Sequence, residues 1–109
     1  DDALADRLTS IGAAVGDPFW RLPLWSPYRR HLRGKTADLT NAPSVPFAGA
    51  ILAALFLAEF AAPVHSWIHL DVMAWNTESR PGRPEGAEAM GLRTLYTLVE
   101  QRWASEPRG

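Results

Sequence analysis

FAGAILAALFLAEF (residues 47–60) and WIHLDVMAW (67–75), joined through AAPVHS, decide the fold class of this 109-residue chain. In the first stretch Glu59 is the sole ionisable residue, and the apolar side chains surround the helix axis instead of forming one stripe. That pattern predicts a helix covered on nearly all sides. Ala48, Gly49, Ala50, Ala53 and Ala54 permit close approach, while Ile51, Leu55, Phe56 and Phe60 fill volume. Pro63 forbids continuation. The nine residues that follow then alternate as a strand, with Ile68, Leu70, Val72 and Ala74 on one face and Trp67, His69, Asp71, Met73 and Trp75 on the other. Both faces read as covered. A strand buried on two sides and reached through a helix predicts a layered α/β domain.

Composition sets the outer limits. The length suits one small domain, and 47% apolar residues with five Trp suffice for a core. Eleven Lys plus Arg against 12 Asp plus Glu give a net charge of −1, which offers no basis for a nucleic-acid or membrane partner. The absence of cysteine excludes disulfides, thiolate metal sites and a Cys nucleophile. The apolar helix is shorter than the roughly 20 residues a bilayer requires. No charged and apolar leader is visible, and a start at Asp1-Asp2 without Met reads as a piece of something longer.

Outward from the centre, Leu4, Leu8, Ile11 and Val15 follow a helical rhythm that Gly16 ends, with Asp1 or Asp2 as the cap. Asp17-Pro18 then turns the chain into FWRLPLWSPY, where Pro18, Pro23 and Pro27 prevent regular structure although the aromatic residues require cover. Ser26 and Pro27 predict a short helix through Arg33, and Thr36 to Thr40 a short strand. Residues 76–84, NTESRPGRP, read as a polar loop, followed by a helix from Pro84 or Glu85 whose stripe is Leu92, Leu95, Tyr96, Val99 and Trp103. The tail, ASEPRG, reads as frayed.

Candidate chemistry is sparse. His69 and Asp71, two apart on one strand face, have the residue types of a metal pair or an oriented base, but no third ligand stands at a telling spacing. They read as satisfied polar groups of a packed layer. Arg29, Arg30, His31, Arg33 and Lys35 form a basic run without the interleaved aromatics of a nucleic-acid surface, so a solvated face is expected. Ser44 and Ser66 lack a nucleophile elbow, and no phosphate-binding glycine motif occurs. Arg80, Arg83, Glu85 and Glu88 around PGRPEG have the charges to hold a small ligand at a helix N-terminus, or simply to start that helix. Met73 and Asn76 stand at the carboxyl end of the central strand, where α/β proteins bind ligands; core packing is the equal alternative for Met73.

Five segments in order, DPFWRLPLW (17–25), ADLTNAP (37–43), FAGAILAALFL (47–57), WIHLDVMAWN (67–76) and RPGRPEGAEAMGLRTLY (80–96), resemble the C-terminal end of leucyl aminopeptidases of the cytosolic, two-metal family. The resemblance implies a partial three-layer α/β/α sandwich, with residues 1–109 as the C-terminal segment of a catalytic domain. It implies a cytoplasmic metalloenzyme, a hydrolase that removes N-terminal residues from peptides with two divalent ions, zinc or manganese. The implied partners are peptide substrate, the rest of the catalytic domain and a homo-hexamer, with no nucleic acid and no membrane.

That family's ligand lysine, aspartates and N-T-D-A-E-G-R-L motif lie upstream of the resembling part, and none occurs here; NTE at 76–78 lacks the glycine and arginine that follow. No catalytic residue and no metal ligand is therefore assigned, and the segment alone is expected to be inactive. What carries over is a substrate-pocket role for Met73 and Asn76, which match family positions just after H-L-D. His69 and Asp71 match a structural stretch. The alternative is a stand-alone, non-catalytic interaction or scaffold module derived from the family; nucleic-acid binding through residues 29–35 ranks last.

Overall fold

The computed structural model describes residues 1–61 and 63–104. They hold helices α1 (Asp2–Val15), α2 (Gly49–Ala61) and α3 (Leu92–Trp103), a 3-10 helix (Ser26–Leu32), and strands β1 (Trp75–Asn76) and β2 (Gly86–Ala87). The chain divides into two units, one of residue 1 with 22–69 and one of 2–21 with the described residues from 70 on. The class is α/β, as the sequence predicts, with its β part a small antiparallel pair.

In the first unit α2 packs on the 3-10 helix, and Leu32, Leu52 and Leu55 form the buried centre with Tyr28, Leu39, Val45, Ile51 and Phe56 around it. Pro27 stands in the first turn of the 3-10 helix, where its missing N–H costs nothing. Trp25, not Ser26, occupies the cap position and makes no side-chain cap bond; Tyr28 N donates to Trp25 O at 3.0 Å. The strand expected at 36–40 reduces to one bridge, Arg33 to Leu39, supported by Thr40 N donating to Leu32 O at 2.8 Å. Helix α2 is covered less fully than its composition predicts. Leu52, Ala54 and Leu55 are buried, whereas Leu57 and Phe60 stay exposed, because the 3-10 helix meets one side of it.

The second unit pairs α1 with α3. Leu8 and Ile11 of the predicted stripe are buried, as is Leu98 of α3. Gly12 permits this packing: a Cβ there would stand 2.8 Å from Asp17 O and 3.2 Å from Pro18 Cα. Gly91 precedes α3 with φ +85°, and a Cβ on it would meet the Phe19 ring at 2.7 Å. That left-handed backbone, with β2 just before it, explains why α3 starts at Leu92 and not near Pro84. From residue 105 on, the expected frayed tail lies outside the described residues.

The nine-residue central strand is the main correction. Only Trp75 and Asn76 form a ladder, paired to Ala87 and Gly86. A strand needs a neighbour for its N–H and C=O groups, and among the described residues 67–74 has no ladder partner. Val72, Met73 and Trp75, expected under cover, are exposed.

Candidate functional site

The stretch that reads as a loop, 76–84, is the turn of an ordered hairpin. Arg80 and Arg83 exchange reciprocal backbone hydrogen bonds of 2.9 Å, closing a tight turn around Pro81-Gly82, with Gly82 at φ +72°. Asn76 is buried, 7% exposed, and spans the hairpin from inside. Its Nδ2 donates to Pro84 O at 3.1 Å, and its Oδ1 accepts from Arg80 Nη2 at 3.4 Å. Ser79 Oγ accepts from Glu85 N at 3.0 Å, and Glu88 N donates to Ala74 O at 3.0 Å.

Glu88 is the acidic centre of this hairpin, its side chain 14% exposed. Oε1 pairs with Arg83, whose Nη2 also donates to Gly16 O at 3.2 Å. Oε2 is buried without a hydrogen bond, 3.9 Å from Arg80 Nη2. The cluster is a structural lock as it stands, since each arginine is shared between the carboxylate and another acceptor.

The candidate ligand site at the last helix start is filled from within the chain. Asp17 Oδ1 accepts from Gly91 N at 2.9 Å and Oδ2 from Arg93 N at 3.0 Å, while Thr94 Oγ1 donates to Asp17 O at 2.7 Å. A buried carboxylate thus takes the positive end of α3. Sequence reasoning saw only a turn at Asp17-Pro18, because the helix that it caps lies some 74 positions away.

The remaining candidates separate. Met73 stands 63% exposed just before β1, with Asn76 buried beside it in the hairpin. His69 is half-buried and Asp71 exposed, and no group of three or more His, Asp or Glu is gathered among the described residues. These residues do not fit a divalent pair. Arg29 of the basic run pairs with Glu59, and Arg30 Nε donates to His31 Nε2 at 3.3 Å. His31 packs edge-on against Tyr28 and Phe47. Ser66 Oγ donates to Asp1 Oδ2 at 2.8 Å. Among the described residues no helix is long and apolar enough to cross a membrane.

An α/β chain of this order has close counterparts among peptidases. The catalytic-domain model of the cytosol aminopeptidase family matches residues 1–96, and the chain belongs to that family. A probable cytosol aminopeptidase of Roseiflexus castenholzii (strain DSM 13941 / HLO8) is 46% identical over 103 residues, 91% of this chain and 20% of that protein. One from Synechococcus sp. (strain WH7803) is 41% identical over 101 residues, again 91% and 20%. The 1.8 Å crystal structure of cytosol aminopeptidase from Coxiella burnetii superposes with a TM-score of 0.87 at 48% identity, covering 94% of this chain and 22% of that one. The match falls in the C-terminal part of that structure. The chain therefore spans about a fifth of the length of the curated relatives it matches. The family is one of peptidases, hydrolases that are generally metal-dependent.

Proposed function

We propose that residues 1–109 serve as the C-terminal segment of the catalytic domain of a cytoplasmic, metal-dependent leucyl aminopeptidase, which removes N-terminal residues from peptides. The observation that carries this reading is the match over nine-tenths of this chain but a fifth of the relatives' length. In the complete enzyme two divalent ions, zinc or manganese, supply an activated water and a polarised carbonyl. Their ligands belong to parts of the domain outside these residues, and no step is assigned to His69 or Asp71. The working assembly is a homo-hexamer.

This chain's own contribution is to the pocket for the substrate's N-terminal side chain. Met73 is the contact, a flexible and polarizable side chain suited to leucine-like groups. Asn76 supports the wall from the hairpin, through its bonds to Pro84 and Arg80. The test compares the purified 109-residue chain with the complete enzyme on a leucine anilide. The chain alone should neither cleave it nor take up two equivalents of zinc or manganese, while the complete enzyme should cleave it and lose activity to a chelator. Cleavage by the chain alone would overturn the division of labour, and an inactive complete enzyme would favour a scaffold module. Within the complete enzyme, Met73→Trp should overfill the pocket and lower the leucine-to-alanine ratio of kcat/KM by roughly 10- to 100-fold. An equal loss on both substrates would make Met73 core only.

A further inference from the structure

Met73 and Trp75 would share one face of a regular strand, but the backbone between them departs from a strand. Ala74 has φ +55°, a left-handed conformation that alanine rarely adopts. At this position the period-two alternation of side chains is broken. The conformation is held from several sides. Ala74 O accepts from Glu88 N at 3.0 Å, Trp75 is in register with Ala87, and Asn76 Nδ2 binds Pro84 O at 3.1 Å. Glu88 is itself fixed through Arg83, which reaches Gly16 O at 3.2 Å. A strained residue persists only where its surroundings over-determine it, and such residues cluster where a side chain must be aimed.

We propose that Ala74 is a specificity-determining position: its left-handed backbone, pinned by the Glu88 amide, sets the direction in which Met73 meets the substrate's N-terminal side chain. Ala74 itself touches no substrate and acts through Met73, so it is a positioning residue. The inference rests on the assignment of Met73 to the pocket. It adds that selectivity depends on backbone conformation at position 74 and not on the volume of the side chain there.

Two substitutions of similar size separate those ideas in the complete enzyme. Asn accepts the left-handed region, whereas β-branched Val resists it. Ala74→Val should shift the leucine-to-alanine ratio of kcat/KM about tenfold, with the change in KM for leucine and kcat for alanine held, and should expose the Glu88 amide to hydrogen exchange. Ala74→Asn and Ala74→Gly should keep the ratio within about twofold and leave that amide protected. If Asn or Gly shifts the ratio as far as tenfold, side-chain volume is the determinant and the proposal fails. It fails equally if Val frees the Glu88 amide and leaves the ratio alone. Should the Val variant not fold, Ala74→Thr, β-branched as well, takes its place with the same expected shift. Met73→Trp, measured alongside, keeps the two claims apart: a ratio that responds at Met73 but not at Ala74 sinks this inference alone, and one that does not respond at Met73 sinks the pocket assignment as well.

Discussion

The two units are held together by different physics. In the first, Leu32, Leu52 and Leu55 close an apolar contact between α2 and the 3-10 helix. In the second, the contact of α1 with α3 is fastened at one end by Asp17, whose carboxylate and carbonyl engage Gly91, Arg93 and Thr94. Apolar burial is non-directional and scales with area, whereas a charge-assisted cap depends on two oxygens in fixed places. The first unit should therefore tolerate exchange among apolar residues of similar volume, and the second should respond sharply to removal of the two side-chain acceptors at one residue.

The largest expected effect lies in the leucine contact. Leu55 is 1% exposed, while Leu57, two positions on, is 43% exposed. Leu55→Ala should destabilise the unit by about 3 kcal/mol, since truncating a buried leucine loses transfer energy and leaves a cavity. Leu57→Ala should cost about 1 kcal/mol or less, in keeping with its partial exposure. Hydrogen exchange of α2 amides reads both. Equal losses at the two positions would mean that α2 is covered all round after all, as its composition implies.

At Asp17 the expected loss is smaller and more specific. Asp17→Ala removes both side-chain acceptors from the start of α3 and should cost about 2 kcal/mol. Asp17→Asn retains one acceptor oxygen and should recover about half of that. Exchange of the Gly91 and Arg93 amides is the direct measurement. If Asn proves as damaging as Ala, the charge and not the geometry fastens α3, and the contrast between the units narrows to one of burial.

Those regions also mark what a reader of the sequence can recover. Helix α1 was legible because Leu8 and Ile11 fall on a 3.6-residue period and Gly16, at φ +68°, ends it locally. The 3-10 helix was legible from Pro27, and α2 from its apolar length. The alternation at 67–75 predicts more strand than forms, because it reports a preference for extended backbone and not the presence of a neighbour; the left-handed Ala74 interrupts it just before β1. Of the hairpin from 75 to 87, residues 76–84 read as a loop and 85–87 as a helix start, since its Pro and Gly belong to the tight turn and its fastening side chains, Asn76 and Glu88, are twelve residues apart. Family membership was legible from five ordered segments, and the family match over residues 1–96 bears it out. The Asp17 cap was not, because the partner of a capping carboxylate is set by the fold and leaves no local pattern.

Ion pairs give the smallest effects, and they divide along the line of burial. Arg83 meets Glu88 where both side chains are largely covered, 27% and 14% exposed, and Glu88 Oε2 already lacks a hydrogen bond. Arg83→Ala would strand that carboxylate and release Gly16 O, so a loss of about 1–2 kcal/mol is expected, nearly independent of salt. Arg21, by contrast, reaches Asp2 and Asp6 with all three side chains well exposed. Water screens that pair of contacts, and three side chains give up rotamer freedom to form them, which leaves about 0.5 kcal/mol or less. Arg21→Ala should therefore shift a melting curve slightly at low salt and not at all in about 1 M salt, where the Debye length is near 3 Å. A salt-insensitive loss at Arg21 as large as that at Arg83 would show that its aliphatic stem contributes more than its charge, because burial of methylenes does not respond to screening.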